Sequence, residues 1–475
     1  MFDSGEFANL VKKGQPTGEV IGMNRFLVEL SGLESAPVGG LVLFENGYHG
    51  LVRSVTEENV VVLNLDSETI PIGMLAVLVQ DVFSVKAGKG LIGRVVTPLG
   101  VPIDGKGPIQ LESTMPVFAN APGVIERAVQ KEQLVTGVAI VDLLFPMVMG
   151  QRMAVLGDSK AGKSTFLRQV AIAQKGTDNV VVYVLIAKRN LDISSLVTAL
   201  EESGSLKNAI VVVASIFDSL VQSYIAPYTA CAMAEYLWKN GTDVITIYDD
   251  LTSHAKVYRE MSLMMRVNPG RDSYPGDMFY AHSSLLERAG KLASNEKTFT
   301  ALPVVLTPND DITSYLPTGI MSMTDGQLIF DLASFRNGIR PAINAGLSVS
   351  RYGGRTQSDK LKKLSSELFK KLADYRQALE FSHFGSDLSV ESQADLTMGK
   401  QFYDIFKQLP DELFNLTEQQ LMIEVVMKGQ GRTRININQL KKLVSKEAKS
   451  IKSDEDYLKA LDRLLASTTM QVAKK

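Results

Sequence analysis

The residues whose types and spacing point most directly to chemistry run from Gly157 to Ser164, in the order Gly-Asp-Ser-Lys-Ala-Gly-Lys-Ser. This is the pattern G-x-x-x-x-G-K-[ST], in which glycines let backbone N–H groups turn toward a phosphate at the start of a helix. The lysine of the pattern, Lys163, is expected to reach the terminal phosphates, and the Ser164 hydroxyl can ligate Mg²⁺. The segment therefore predicts a site for ATP or ADP with Mg²⁺, in preference to a glycine-rich turn without a ligand.

The second half of such a site is a strand that ends in an acid. Residues 244–248 are apolar and run directly into Asp249 and Asp250. An acid at the end of such a strand commonly holds Mg²⁺ in phosphate-loop proteins. We therefore expect Asp249 to contact the magnesium ion, through a bound water.

Cleavage of ATP also needs a group that orients or deprotonates the attacking water. In this kind of fold that carboxylate often follows the strand next to the phosphate loop. Here the predicted strand, residues 180–186, runs into Ala187 and Lys188. A charged lysine cannot act as a base. Asp250 and Asp192 are the remaining candidates, and each is more often a solvated or capping acid, so the sequence predicts a nucleotide site without an obvious catalytic carboxylate.

Three regions of the chain differ in the period of their apolar residues. The first, residues 18–82, alternates turn signals with short β-rich runs at 19–30, 40–44, 51–55, 60–65 and 74–79. Asn46-Gly47 between two of these runs is a strong hairpin signal, and several short strands at this spacing predict a small sandwich or barrel. Residues 88–107 are rich in Gly and Pro and are predicted to be a connecting segment.

The central region, residues 115–355, alternates helical stretches with apolar strands at 152–156, 180–186, 210–214 and 244–248. Continuous apolar strands separated by helices predict a parallel sheet covered on both faces. From residue 357 onward the period is helical, because large side chains recur every three or four positions, at Leu361, Leu364, Leu368, Leu372, Tyr375 and Leu379. Further helices are predicted at 390–409, 418–427, 438–451 and 454–466.

Composition excludes several classes of protein. The sequence has 475 residues, and its 50 Lys+Arg nearly cancel its 52 Asp+Glu, so the basic excess typical of nucleic-acid binding is missing. Cys231 is the single cysteine, which rules out an intrachain disulfide, and the four histidines lack metal-ligand spacing. The longest apolar run is shorter than the roughly 20 residues that span a bilayer. We expect a soluble protein of a reducing compartment, with membrane contact only through partners.

Six segments together resemble the alpha subunit, the non-catalytic nucleotide-binding subunit, of rotary F-type ATP synthases. They are residues 90–109, 157–165, 248–260, 268–292, 340–351 and 384–388. Several of them differ from the corresponding segments of the catalytic beta subunit. The resemblance implies a small N-terminal β-barrel, a central RecA-like P-loop α/β domain and a C-terminal helical bundle. The implied boundaries are 1–17 for a short N-terminal extension, 18–82 for the barrel, 83–356 for the nucleotide-binding domain and 357–475 for the helical domain.

The resemblance also implies a role for individual residues. Arg340 and Pro341 fall on the segment beside the adenine, and Gln408 falls on a glutamine near the base. Arg351 falls on the arginine that reaches the catalytic site of the neighbouring beta subunit; without the resemblance it would be a surface arginine after a strand at 343–350. The nucleotide-binding residues implied by the loop itself are Gly157, Asp158, Ser159, Lys160, Ala161, Gly162, Lys163, Ser164 and Thr165, and the magnesium ligands are Ser164 and Asp249.

Three departures from the alpha-subunit pattern accompany these matches. The loop interior, residues 158–161, reads Asp-Ser-Lys-Ala instead of the usual Asp-Arg-Gln-Thr. Lys188 stands where alpha subunits usually carry glutamine and beta subunits carry the catalytic glutamate, and the polar residue expected near Pro410 is replaced. Only 17 residues precede the barrel, so the longer N-terminal helix that holds a peripheral-stalk subunit is expected to be missing.

The resemblance implies a ring in which this protein alternates with catalytic beta-type subunits around a gamma-type rotor, with or without a peripheral stalk. Such a complex sits at the cytoplasmic face of a bacterial membrane and couples ATP synthesis or hydrolysis to H⁺ or Na⁺ transport through a separate sector. Two alternatives remain. The first is a Rho-like nucleic-acid motor, which needs a basic, aromatic-rich β domain; residues 18–82 contain few basic or aromatic residues. The second is a secretion-type or other divergent rotary ATPase subunit, which needs a catalytic glutamate at the position where Lys188 stands.

Overall fold

The computed structural model describes residues 4–383, 389–431 and 433–470. The segment 384–388, one of the six that carry the family resemblance, lies outside the described residues. The protein forms two compact units, each assembled from separate stretches of sequence. The first unit comprises residues 1–129, 175–305 and 315–323, and the second comprises 130–174, 306–314 and 324–475.

After α1, residues 17–134 form ten strands and no α-helix; strands and helices are interspersed from residue 139 to residue 350, and the elements that follow are helical. The strands are β1 Thr17–Asn24, β2 Leu27–Ser31, β3 Leu41–Phe44, β4 His49–Val55, β5 Val60–Asn64, β6 Leu75–Gln80, β7 Ser84–Ala87, β8 Val95–Val96, β9 Ser113–Pro116, β10 Gln133–Leu134, β11 Met147–Val148, β12 Met153–Gly157, β13 Val180–Lys188, β14 Ala209–Ser215, β15 Val244–Asp249, β16 Gly290–Lys291, β17 Thr298–Leu306, β18 Gly326–Phe330 and β19 Val349–Ser350. The α-helices are α1 Ser4–Lys12, α2 Ala139–Leu144, α3 Lys163–Ala173, α4 Asn190–Ser203, α5 Leu220–Lys239, α6 Leu251–Met264, α7 Met278–Leu286, α8 Tyr315–Met323, α9 Leu332–Arg336, α10 Asp359–His383, α11 Val390–Phe406, α12 Leu416–Lys428, α13 Ile437–Lys449 and α14 Asp454–Thr468. Short 3₁₀ turns occur at Lys89–Leu91, Val124–Glu126, Ser205–Asn208, Arg271–Ser273, Pro308–Asp310 and Gly353–Arg355.

The N-terminal strands close into a six-stranded antiparallel barrel in the order β1-β2-β5-β4-β3-β6. Side chains alternate between the barrel core and solvent: Val28 and Leu30 are buried, and Glu29 between them is exposed. The hairpin predicted at Asn46-Gly47 is confirmed as the connection between β3 and β4. The predicted β-rich run 19–30 forms two strands, β1 and β2, because the backbone turns back at Arg25, whose φ is +55°.

A short helix, α1, precedes the barrel and was not predicted from the sequence. Its Phe7 packs against Leu43 and Val77 of β3 and β6. These two residues alternate with the barrel-core residues of the same strands, so α1 covers the outer face of the barrel.

The first unit contains a parallel sheet in the order β17-β15-β13-β14-β8, with the short β16 antiparallel to β17. All residues of β14 and β15 are buried, as expected for strands covered on both faces. The predicted connecting segment 88–107 contributes β8 to the edge of this sheet.

The second unit contains β12, which pairs in parallel with β18, and β19 adds to β18 antiparallel. The C-terminal helices α10–α14 bury their predicted apolar face, including Leu368 and Leu372. The predicted strand at 343–350 is wrong except for its last two residues. Asn344 explains the difference, because its side chain accepts hydrogen bonds from the N–H groups of Gly346 (3.0 Å) and Leu347 (3.2 Å) and closes a turn instead.

The fold class predicted from the sequence is confirmed: a six-stranded N-terminal barrel, a central α/β region and a C-terminal helical region. The domain boundaries predicted at 82 and 356 stay predictions. Among residues 4–383, 389–431 and 433–470, none of the helices combines the length and apolar composition that a membrane span needs.

Two histidines that lie 28 residues apart in the sequence meet in the interior of the first unit. Nδ1 of His254 on α6 is 3.2 Å from Nε2 of His282 on α7. The other nitrogen of His254 is 3.0 Å from the Tyr224 carbonyl oxygen. Burial lowers the pKa of His254 to about 4, and burial together with His254 holds the pKa of His282 well below its ordinary value.

We predict that this pair makes the first unit sensitive to acid. The unfolded chain binds a proton on His254 below about pH 6.5, whereas the folded chain does so only near pH 4. Stability is therefore lost as the pH falls, by about 2 kcal/mol at pH 5 for His254 alone. His254→Gln should remove that part of the loss. Urea unfolding followed by fluorescence of the single tryptophan, Trp238, at pH 5 and pH 7.5 measures it; an unchanged pH dependence in the variant would contradict this account.

Candidate nucleotide-binding site

The loop from Gly157 to Gly162 joins the end of β12 to the start of α3, as the sequence predicts for a phosphate loop. Two glycines permit its shape. Gly157 has φ +155° and Gly162 has φ +99°, values that L side chains rarely adopt. A Cβ at Gly157 would also lie 2.7 Å from both the carbonyl oxygen and Cβ of Phe330. The loop can therefore follow this course only with glycine where β12 ends against β18.

Side chains of the loop stabilise this course from within. The ammonium of Lys163 is buried and donates hydrogen bonds to the carbonyl oxygens of Gly157 (2.8 Å) and Asp158 (2.7 Å). The Asp158 carboxylate accepts hydrogen bonds from the N–H groups of Ser159 (2.5 Å) and Asn309 (2.9 Å). Ser164 and Thr165 lie exposed in the first turn of α3. The N-terminal end of this helix thus presents N–H groups and hydroxyls, which suit an anion such as phosphate.

An aromatic side chain, Phe335, lies beside this loop and was missed by the sequence reasoning. A Cβ at Gly162 would lie 3.4 Å from the Phe335 ring. The guanidinium of Arg340 sits 3.9 Å from the centroid of the same ring and donates a hydrogen bond to the Phe335 carbonyl oxygen (3.0 Å). Arg340 and Pro341, which the resemblance places beside the adenine, therefore belong to the same local structure as the phosphate loop. A purine can stack on such a half-buried ring.

Gln408 is buried and uses its amide on backbone groups. Its Oε1 accepts a hydrogen bond from the Ala139 N–H (2.8 Å), and its Nε2 donates to the carbonyl oxygens of Gly137 (2.8 Å) and Glu412 (2.7 Å). These contacts join α2 to the segment between α11 and α12. The role beside the base that the resemblance implies for Gln408 stays a prediction.

Asp249 and Asp250, in the first unit, share one ammonium group. Nζ of Lys188, at the end of the neighbouring strand β13, lies 2.7 Å from Oδ1 of Asp249 and 2.8 Å from Oδ2 of Asp250. The second oxygen of Asp249 accepts a hydrogen bond from the Tyr183 hydroxyl (3.2 Å). Burial opposes the charge of Lys188, but the two carboxylates outweigh burial and hold the pKa of its ammonium above the ordinary value.

The two acids that remained as candidate bases are both engaged elsewhere. Asp250 is the N-cap of α6, where its Oδ1 accepts a hydrogen bond from the Ser253 N–H (2.6 Å). Asp192 lies in the first turn of α4 and forms an exposed ion pair with Arg189 (3.0 Å). The group at the end of β13 is therefore a cation, Lys188, which faces Asp249 and Asp250, and not a base.

Arg351 follows β19 in the second unit and combines a fixed backbone with an exposed side chain. Its N–H donates to the Asp325 carbonyl oxygen (3.1 Å), and the preceding Ser350 hydroxyl donates to the Pro146 carbonyl oxygen (2.6 Å). Within the described residues its guanidinium has no hydrogen-bond or ion-pair partner. The side chain is therefore available to a group outside this protein.

Comparison with known proteins adds a further observation. Residues 137–350 match the model of the nucleotide-binding domain of the ATP synthase alpha/beta family, and residues 357–473 match that of the C-terminal domain of the ATP synthase alpha/beta chain. The ATP synthase subunit alpha 2 of Legionella pneumophila (strain Philadelphia 1) is 39% identical over 435 residues, which cover 89% of this sequence and 84% of that protein. The ATP synthase subunit alpha of Clostridium botulinum (strain Hall) is 41% identical over 395 residues, 82% of this sequence and 78% of that protein.

The protein belongs to the F-type ATP synthase alpha-subunit family.

The two compact units divide the predicted residues between them. The second unit holds the phosphate loop, Arg340, Gln408 and Arg351, whereas Asp249 and Lys188 lie in the first. Sequence reasoning identified each of these positions. The sequence did not predict the position of Phe335 or the ion pairs of Lys188, because no spacing pattern connects residues that come into contact only when the chain folds. An aromatic residue five positions before the Arg340-Pro341 segment was the available signal for Phe335.

We predict that Gly157→Ala displaces the phosphate loop of this alpha-subunit family member. The added methyl group would overlap Phe330 at 2.7 Å and be held at φ +155°, so the loss should be about 1–3 kcal/mol of stability beyond the backbone strain. Gly176→Ala is the matched control, since Gly176 also has positive φ but has nothing within 4 Å of its Cβ position. Thermal unfolding compares the two; an equal loss in both variants would argue against the overlap.

Proposed function

We propose that this protein is the non-catalytic, nucleotide-binding alpha subunit of a rotary F-type ATP synthase. It binds Mg-ATP or Mg-ADP without turning it over, and it supplies Arg351 to the catalytic site of a neighbouring beta subunit. The single observation that carries the proposal is the position of Lys188. A cation held by two carboxylates stands at the end of β13, where a catalytic subunit needs a general base.

For binding, the residues of the phosphate loop have defined tasks. The N–H groups at the start of α3 bind the phosphates, and Lys163 exchanges its two carbonyl acceptors in the loop for phosphate oxygens. Phe335 and Arg340 offer an aromatic face and a planar cation to the base and sugar. We propose this loop, Gly157–Thr165, as the phosphate site, with Pro341 and Gln408 as further contacts of the nucleotide.

The oxygen donors that the family implies for magnesium fit a hard divalent cation. Ser164 offers a hydroxyl and Asp249 a carboxylate, and Mg²⁺ prefers such oxygens while it keeps several waters. Both Asp249 oxygens already accept a hydrogen bond from Lys188 or Tyr183. We therefore assign Ser164 as a direct ligand and Asp249 as an acceptor for metal-bound water. Magnesium would neutralise phosphate charge, and the protein itself holds the nucleotide in place.

The partners follow from the family and from the exposed arginine. The relatives are named ATP synthase subunit alpha, which supports a place for this protein in a ring with beta-type subunits around a gamma-type rotor. A peripheral stalk and an ion-translocating sector complete such a complex and give it its membrane contact. Transport of H⁺ or Na⁺ belongs to that sector.

The first test uses the purified protein alone. It should bind Mg-ATP but hydrolyse it no faster than a buffer control, because Lys188 takes the place of a base. Lys163→Ala should weaken binding by about tenfold or more, since the lysine is the charged phosphate contact of the loop. Lys175→Ala, an exposed lysine just beyond α3, is the matched control. Calorimetric titration gives affinity, and phosphate release gives turnover; steady ATP turnover by the protein alone would overturn the non-catalytic assignment.

The second test concerns Arg351 in an assembled ring. An arginine supplied from a neighbouring subunit stabilises charge on the transferring phosphoryl group and is worth about 10³–10⁵ in rate. Arg351→Ala should therefore lower ATP turnover of the reconstituted complex by orders of magnitude and leave ring stoichiometry and nucleotide occupancy of this subunit unchanged. Arg351→Lys should also be slow, because an ammonium lacks the planar fork of a guanidinium.

Arg355→Ala is the control for the ring experiment. Arg355 is also exposed and lies four residues further on, where it packs over the Tyr352 ring at 5.3 Å. Its loss should leave turnover near the wild-type rate. Wild-type turnover in a correctly assembled Arg351→Ala ring would refute the role of Arg351 between subunits.

A further inference from the structure

A small cavity lies inside the first unit, between the barrel and the helices α5 and α6. Its volume is about 190 Å³, somewhat more than the roughly 150 Å³ of an apolar cavity that binds benzene. Two side chains on its lining are well exposed, Val38 (64%) and Phe118 (44%), so the cavity opens to solvent. Every residue that lines it belongs to the first unit. The space therefore suits a small molecule with a single ring.

The wall of the cavity that faces the barrel is made of aromatic rings and methionines. The rings of Tyr224 on α5 and Tyr258 on α6 stack with their centroids 5.1 Å apart, and the Phe118 ring lies 6.5 Å from that of Tyr224. Met261 and Met265 extend the same wall, and methionine sulfur makes favourable contacts with aromatic rings. This wall therefore favours a planar aromatic ring over an aliphatic group of the same size.

The barrel side of the cavity supplies a cation, Arg53 of β4. Arg53 is exposed, and among the residues that the structure describes its guanidinium has neither a hydrogen bond nor an ion pair. Burial raises the pKa of Tyr224 to about 12, and the positive charge of Arg53 opposes that rise, so the guanidinium acts on the aromatic wall. A guanidinium without a partner can bind a carboxylate through two parallel hydrogen bonds.

The acid whose charge also reaches Tyr224 is engaged elsewhere. Asp277 opposes the effect of Arg53 on the pKa of Tyr224, but its carboxylate accepts a hydrogen bond from the Tyr258 hydroxyl (2.7 Å). Asp277 is not among the lining residues, and the charged residue on the lining is Arg53. The cavity therefore combines an apolar, aromatic interior with a positive charge, which is complementary to a ring that carries an anion.

We propose that this cavity is a binding site for a small, single-ring aromatic carboxylate, with the carboxylate on Arg53 and the ring against Phe118, Tyr224 and the two methionines. The site lies in the first unit, whereas the phosphate loop belongs to the second. It is therefore independent of the proposed nucleotide-binding function and adds a second kind of ligand.

The experiment titrates phenylacetate into the full-length protein and follows the methyl signals of its methionines by NMR. The signals of Met261 and Met265 should shift as the ring enters the cavity, and Met261→Leu and Met265→Leu, which conserve volume, assign them. The analogue 2-phenylethanol keeps the ring without the charge and should bind about tenfold or more weakly. Cyclohexylacetate keeps the charge without the aromatic ring and should bind about threefold or more weakly.

Substitutions at the two exposed positions of the lining test the site from the side of the protein. Arg53→Gln should weaken phenylacetate binding by about tenfold or more and leave the binding of 2-phenylethanol unchanged. Lys256→Gln removes an exposed lysine of α6 that does not line the cavity, and this control should bind as wild type does. Val38→Trp puts a large side chain at the opening and should abolish binding of both compounds.

The outcomes are distinct from those of the nucleotide experiments. Equal binding of phenylacetate to wild type and to folded Arg53→Gln would overturn the proposal, as would the absence of any shift at Met261 and Met265. If Arg53→Gln does not fold, equal affinity of wild type for phenylacetate and 2-phenylethanol has the same meaning. Excess Mg-ATP should not displace phenylacetate; displacement would assign the probe to the nucleotide site and overturn this second site, while the nucleotide-binding function would stand.

Discussion

An ammonium group between two buried carboxylates is the interaction on which the carboxyl end of the parallel sheet depends. Asp249 and Asp250 are adjacent in the sequence and both buried, and a buried charge without a partner costs several kcal/mol. Lys188 reaches them because β13 and β15 pair in parallel with Leu185 opposite Asp249. The β13–β14 register shifts between Ile186 and Lys188, and Ala187 there has φ +51°. This bulge changes the direction of the backbone at the end of β13, and with it the direction of the Lys188 side chain. The ion pairs and the strand register therefore stabilise each other.

The phosphate loop depends on a different constraint, the close approach of two backbones. Gly157 lies against Phe330 of β18, and the loop that follows is held by Lys163 and by the bond from the Asn309 N–H to Asp158. Neither contact involves the acid pair. The interior of the loop can therefore differ at residues 159–161 while its course stays that of a phosphate-binding loop. The glycines, Asp158 and Lys163 determine the shape of the loop, and the side chains at 159–161 set its local charge.

The sequence predicts those features that are encoded locally. The hairpin at Asn46-Gly47, the buried strands of the central sheet and the start of α3 after Gly162 all follow from turn chemistry, from apolar runs or from a motif. The features it does not predict arise from contacts between distant residues. His254 and His282 meet only because α6 and α7 pack together, and Lys188 finds Asp249 only through strand pairing. At Asn344, side-chain hydrogen bonds to the backbone override an apolar pattern that favours a strand.

Lys188 and Arg351 are two cations in different surroundings, one paired within the protein and the other exposed to solvent. Lys188 is held by short bonds to two carboxylates, whereas Arg351 extends from an anchored backbone into solvent. The ion pairs of Lys188 also mean that one substitution at this position would not create an effective base. A glutamate in place of Lys188 would put a third carboxylate beside Asp249 and Asp250 and remove the ammonium that compensates them. Like charges so close raise one another's pKa, so the new acid would tend to stay protonated, and an effective base would require changes in its neighbours as well.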